Sequence, residues 1–299
     1  MTVVLETLPA PTPAPGPDAK ATKKGGWFVR ITIVVVVLLW TIPTLGVLIS
    51  SFRPEQLVDD TGWWTSLAHL FDGAQWTLEN YRSALSGGGF GNAFLNSMAV
   101  AIPSTVIPVT VAAFAAYAFS WMDFRGRQWL FALLVGLQIV PLQMTLIPIS
   151  QLYTRIGLGG TFLGVWLFHT GFGLPYAIYL MRNFLGSLPR ELFESAYLDG
   201  ASHWTAFYRL AIPLAVPAIA SLGIFQFLWI WNDLLVALVF LGGNQPVLTY
   251  QISNMVTSLG SGWHVLTAAA FISMLLPMIV FFSLQRYFVR GLLAGSVKG

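Results

Sequence analysis

Four side chains near the end of one apolar run have types and spacing that could do chemistry together: Gln226, Trp229, Asn232 and Asp233. With Leu222 and Phe225 they recur at i, i+3, i+4 and i+7, the spacing of one helical face. Aromatic rings stack on the apolar face of a saturated ring, and amides match its hydroxyls at little electrostatic cost, so this face suits an uncharged polyhydroxylated ligand. The same residues would serve equally as interfacial anchors and interhelical hydrogen-bond partners. An Asp inside an apolar run is costly unless it faces a protein interior or a water-filled cavity, and Asp233 fits a structural or gating role as well as a binding one. Gln138 and Gln143 around Pro141, and His169 with Thr170 before Pro175, are weaker candidates for the same interior.

Other chemistries are missing from the sequence. Every lysine lies near a terminus, at 20, 23, 24 and 298, so no Gly-rich phosphate loop with its Lys exists in the folded part. The four histidines, at 69, 169, 203 and 264, lack metal-binding spacing, and no GxSxG is present. There is no cysteine, hence no disulfide and no thiolate metal site. No catalytic residue, metal site or cofactor is expected in this chain.

The elements that must position these residues are membrane helices. Hydrophobic residues make up 56% of the chain and charged ones only 9%, against about 25% charged in soluble domains. Apolar runs near the roughly 20 residues needed to cross a bilayer occur at Ile31–Ser50, Ser97–Phe119, Trp129–Leu152, Phe162–Leu180, Pro213–Phe240 and Leu266–Leu284. The expected fold is an all-α polytopic transmembrane bundle of six spans. The first run is too long for a signal peptide and lacks a cleavage pattern, so it reads as a retained anchor. Residues 1–26, with PAPTPAPGP, read as a disordered tail, and residues 27–299 as the membrane domain.

Basic residues orient the bundle. Lys20, Lys23, Lys24, Arg30, Arg125, Arg127, Arg182, Arg190, Arg209, Arg286, Arg290 and Lys298 fall on one side of the spans, and only Arg53, Arg82 and Arg155 on the other. The positive-inside rule therefore puts both termini in the cytoplasm. The pI of about 9.3 reflects this topology and is no argument for nucleic-acid binding.

One polar stretch interrupts the apolar pattern, ELFESAYLDGASHWTAFYRLAIPLAVPAI from Glu191 to Ile219. Pro189 suits a first helical turn, and the helix should run through Tyr197. Gly200 permits a turn with positive φ, and Ser202 can cap a second short helix carrying Trp204, Phe207 and Tyr208 that ends where Pro213 opens span five.

The order Glu194-Ser195-Ala196, three residues, Gly200, nine residues, Leu210-Ala211-Ile212-Pro213 resembles the EAA motif of permease subunits of ATP-binding-cassette importers. Glu194, Ala196, Gly200 and Pro213 match that motif, whereas Ser195, Leu210 and Ile212 depart from its Ala, Ile and Leu conservatively. SSFRP, FLNSMAVAIPSTV, AAYAFSWMDFRGR, WNDLLVALVFL and RGLLAGSVKG extend the resemblance over residues 30 to 299, toward the second, maltose-permease-like subunit of carbohydrate importers.

The resemblance implies a type I ABC importer permease fold in a bacterial inner membrane. It implies that residues 187–212 are a coupling loop docking into an ATPase, with Glu194 offered to a basic partner and Ala196, Tyr197 and Leu198 to a groove. It implies as partners a second permease subunit, two ATPase subunits that hold ATP and Mg, and an extracytoplasmic sugar-binding protein reached by the external loop 242–263. The cytoplasmic tail, about 285–299, should reach the ATPase dimer. The substrate class it implies is a sugar, with maltose-like α-glucosides nearest. The alternative is a secondary transporter driven by an ion gradient. Such transporters usually show repeats and several buried carboxylates, and here only Asp233 lies within a span.

Overall fold

The computed structural model describes residues 26–87, 89–255 and 262–296, with side chains through Tyr287. The expected tail, apart from Gly26, lies outside the described residues. These divide between Leu45 and Gly46 into two units, and all regular structure in them is helical.

The first unit holds most of α1 (Trp27–Ser51), a run of Ile, Val and Leu that is apolar all round and exposed. Such a helix satisfies its own backbone and needs no polar face only in hydrocarbon.

The second unit begins with a cap of short elements: α2 (Glu55–Asp60), two 3₁₀ turns (Trp63–His69 and Gly73–Gln75) and α3 (Glu79–Ser86). Arg53, 1% exposed, organises it by donating to the Thr61 carbonyl at 3.2 Å and to the hydroxyls of Thr61 and Thr65. Burial lowers the pKa of its guanidinium. Asn80 ties α3 back by donating to the carbonyls of Ser51 (3.0 Å) and Arg53 (2.7 Å).

The bundle follows: α4 (Phe90–Trp121), α5 (Arg127–Leu137), α6 (Leu142–Arg155) and α7 (Phe162–Gly186); then α8 (Arg190–Leu198), α9 (His203–Ala206), α10 (Ile212–Trp231), α11 (Leu235–Leu241), α12 (Leu248–Ser253) and α13 (Trp263–Ser296). α4 packs along α7, and α10 lies against α4, α7 and α13. Toward α8 the core is built on small residues, with Ala112, Ala116, Ala177, Ala206, Ala211, Ala215 and Ala218 all buried. Small side chains let helices approach closely where lipid supplies no hydrophobic driving force. The opposite half is filled by larger groups, including Phe90, Phe168, Phe227, Trp231 and Phe240.

Among the described residues, four helices are long and apolar enough to cross a membrane: Trp27–Ser51, Phe90–Trp121, His203–Trp231 and Trp263–Tyr287. α7, at 25 residues, is about 37 Å long at 1.5 Å per residue and has the length of a further span. The third expected span is not straight. α5 and α6 meet at 98°. Pro141 disfavours helical geometry at Val140 and offers no N–H, and Gln138, Ile139 and Val140 close the end of α5 by donating to the carbonyls of Val135, Gly136 and Leu137.

The fifth span differs at both ends. Pro213 does not open it, because one continuous helix runs from His203 to Trp231. A wide π-helical turn at Phe207–Ala211, in which Ile212 N–H donates to the Phe207 carbonyl, absorbs the donor that Pro213 lacks. At the other end the helix stops at Trp231, short of the expected Phe240, and restarts as α11. Asn232 turns its amide back to donate to the Leu228 carbonyl at 2.7 Å, and Asp233 Oδ2 accepts from the N–H groups of Val236 (3.0 Å) and Ala237 (3.2 Å). Both residues offer local bonds that compete with helix continuation. Finally, residues 285–296, expected as a tail, continue α13.

Candidate functional site

Two regions carry the residues singled out by the sequence. The first is the turn between α8 and α9. Gly200 sits at φ +84°, its N–H donates to the Tyr197 carbonyl, and Ala201 N–H donates to the Ala196 carbonyl. These are the two bonds of a Schellman cap, which needs a left-handed residue at this position. Ser202 then caps α9 by accepting from Thr205 N–H at 3.2 Å. The chain reverses within four residues.

The stripe Phe193, Ala196, Tyr197 faces the bundle. Phe193 is fully buried and stacks on Trp121 of α4 at 3.8 Å between centroids. Tyr197, Tyr117 of α4 and His203 Nδ1 form a ring of contacts at 3.1, 3.1 and 3.4 Å. Outward face Glu194, Ser195 and Leu198, the last 89% exposed. The expected apolar face of Ala196, Tyr197 and Leu198 is therefore split, since i, i+3, i+4 spacing carries Ala196 and Tyr197 round with Phe193. Leu210 and Ile212 are half-buried, Ala211 is buried and Pro213 is exposed. Phe193, Tyr117 and His203 were missed in the sequence, where nothing in their own spacing links residues so far apart in the chain.

The second region is the cleft between α7 and α10. Its residues do not share one environment. Phe225, Trp229 and Asn232 are exposed, whereas Leu222 and Gln226 are buried and the Asp233 side chain is 15% exposed. Phe172, Gly173 and Tyr176 of α7 face Phe225, Gln226 and Trp229 across a cavity of about 330 Å³. Behind it His169, fully buried, meets Trp229 edge-on at 5.3 Å and 90°, with Nε2 3.9 Å from Asp233 Oδ2. Asp233 also holds the start of α12, since Thr249 Oγ1 donates to its carbonyl at 2.9 Å. That segment is tied to α4 as well: Asn96 donates to the Pro246 carbonyl at 3.0 Å, and Leu248 N–H donates to Ser97 Oγ at 2.7 Å. Residues 256–261 of the expected external loop lie outside the described residues. Gln138 lines a neighbouring cavity of about 340 Å³ that shares Phe172 and Tyr176.

Residues 109–293 match the family model described as binding-protein-dependent transport system inner membrane component. The chain belongs to this family. The permease is 57% identical to the osmoprotective compounds uptake permease protein of Synechocystis sp., over 90% of this chain and 91% of that one. It is 43% identical to the alpha-glucoside transport system permease protein of Rhizobium meliloti, over 91% and 97%. Its fold is similar to a chain in the crystal structure of a bacterial ABC transporter that imports the acidic polysaccharide alginate. That likeness has a TM-score of 0.69 at 20% identity and covers 87% of this permease and 95% of that chain.

Proposed function

We propose that this permease forms half of the translocation path of an ATP-driven, binding-protein-dependent sugar importer, with an α-glucoside or a related small glycoside as substrate. The observation that carries the coupling half of the reading is the Gly200 turn. It is closed by two backbone bonds, anchored to α4 through Phe193 and Tyr197, and leaves Glu194, Ser195 and Leu198 exposed for a partner. Gly200 makes the turn, half-buried Ala196, Leu210 and Ile212 back it, and Pro213 is exposed on the helix that follows. A second permease subunit completes the path, two ATPase subunits hold ATP and Mg, and an extracytoplasmic binding protein delivers the sugar. The excess of basic residues supports a cytoplasmic position for the Gly200 turn and both termini.

The substrate class draws on relatives named for osmoprotective compounds, alpha-glucosides and, at 32% identity, trehalose in Mycobacterium tuberculosis. Gln226 and Trp229 line the sugar passage, with Asn232 and Asp233 at the helix break beside it. Transport driven by an ion gradient has no observation in its favour.

The test is reconstitution with all partners in proteoliposomes. Uptake of labelled α-glucoside should require internal ATP and the binding protein, and should survive collapse of ion gradients. Uptake that persists without ATP and stops with an ionophore overturns the proposal.

A further inference from the structure

We infer that the cleft between α7 and α10 is a subsite for one uncharged hydroxylated ring, where the Gln226 amide reads a hydroxyl and Gly173 is the residue that positions the amide. The inference rests on the reading of this permease as a sugar path. It adds where a ring rests, that this subunit holds it, and what chemistry it must have.

Four of the six lining residues are aromatic: Phe172 and Tyr176 from α7, Phe225 and Trp229 from α10. At about 330 Å³ the cavity sits at the small end of the roughly 300–1,000 Å³ usual for small-molecule sites and has room for one ring, with the cavity beside Gln138 adjoining it through Phe172 and Tyr176. Aromatic faces with one or two placed polar groups are how such sites hold a hydroxylated ring.

The placed polar group is Gln226. Only 5% of it is exposed, and its amide nitrogen has no hydrogen-bond partner in the chain. Buried polar atoms are nearly always paired, so an unpaired amide nitrogen, itself closed to solvent, on a side chain that lines a cavity points to a ligand acceptor. Glycine at 173 sets its position. A Cβ there would lie 2.3 Å from Gln226 Nε2 and 3.0 Å from its Cδ and Oε1, so the amide can lie against α7 only because residue 173 has no side chain.

Charge decides the ligand class. The lining holds no Asp, Glu, His, Lys or Arg, and the Asp233 carboxylate, next to His169 behind Trp229, accepts from the Val236 and Ala237 N–H groups. An anionic ring would lose its hydration and meet no cation in the lining; a neutral ring needs none.

The experiment uses the assembled transporter in proteoliposomes, with a neutral α-glucoside, its singly deoxygenated analogues and the matching uronide as probes. The wild type should discriminate against one deoxy analogue and reject the uronide. Gln226→Leu, of similar volume and with no polar atom left to bury, should raise KM for the parent sugar about tenfold and abolish discrimination at that single hydroxyl. Gly173→Ala should raise KM for all sugars by driving the amide into the cavity, and Gly173→Ala combined with Gln226→Ala should restore part of the loss.

Unchanged KM and unchanged deoxy discrimination in Gln226→Leu overturn the subsite. A fall in maximal rate shared by all sugars at constant KM refutes the subsite while leaving the passage in place, and normal uptake by every variant removes both. Should Gln226→Leu fail to assemble, the Gly173→Ala pair with its rescue decides alone: absence of rescue overturns the positioning of the amide.

Discussion

At the α8–α9 end Tyr117, Tyr197 and His203 close on one another, and Pro213 sits inside an unbroken helix. At the far end of the same helix, α10 stops at Trp231, and Thr170 Oγ1, Gln226 Nε2 and both His169 nitrogens lack hydrogen-bond partners. Trp121 Nε1 is an unpaired exception at the first end, where its ring instead stacks on Phe193. Buried polar groups that are satisfied hold one geometry, whereas partly satisfied ones leave room for a ligand or for rearrangement. Under the proposed function, the difference separates a joint that transmits force from a cleft that admits and releases a molecule.

The comparison breaks most readily at Phe193. Phe193→Ala removes a fully buried ring stacked on Trp121 and should destabilise the α8 attachment by about 3–5 kcal/mol. Thermal unfolding of the assembled complex, read by release of the ATPase subunits, checks it; attachment as firm as in the wild type would mean α8 does not depend on this anchor.

Next comes Gly200. A Cβ there meets nothing within 4 Å, so the penalty is conformational only. Gly200→Val should strain the turn by about 1–3 kcal/mol and uncouple hydrolysis from uptake. Gly200→Asn should lose less, because Asn tolerates the left-handed region. The ratio of sugar transported to ATP hydrolysed separates the two, and equal ratios would show that φ at 200 does not matter.

At the opposite end the expected effects are smaller. Asp233→Ala deletes the cap of α11 and should cost about 0.5–2 kcal/mol, while Asp233→Asn keeps an acceptor and most of the cap. Hydrogen exchange should rise at 234–241 in the Ala variant only. The same rise in both would assign the role to the charge and its neighbour His169.

The smallest effect sharpens the contrast within the joint. Tyr197→Phe keeps the ring and removes a hydroxyl shared with Tyr117 and His203, for about 0.5–1.5 kcal/mol. Coupling efficiency should fall modestly with uptake KM unchanged, and a shift in KM instead would place Tyr197 in sugar recognition.

Local chemistry was legible wherever one residue type forces one backbone state. The left-handed turn at Gly200 and the Ser202 cap follow from the residues themselves. The helix breaks were harder. Pro141 is visible in the sequence, yet the 98° bend of α5 on α6 does not follow from it, because a proline within a helix sometimes kinks it and sometimes, as at Pro175 in α7, is absorbed. The side chains of Asn232 and Asp233 were weighed as ligands to a substrate, while their competition with the backbone decided where α10 ends.

Composition and periodicity alone determined a membrane-embedded helical protein, because apolar runs of bilayer length have no other stable state. The EAA-like spacing alone marked the loop that reverses beside α4. Which residues of that loop turn inward was decided only by tertiary structure, since Phe193 and Tyr197 find Trp121 and Tyr117 from more than seventy residues away. The split of the α10 face arose in the same way. Leu222, Phe225, Gln226 and Trp229 are equivalent by helical spacing, and it is the approach of α7, with glycine at 173, that buries Gln226 and leaves Phe225 and Trp229 exposed. Spacing fixes angles around one helix axis, and only a second helix decides which of those angles lies inside.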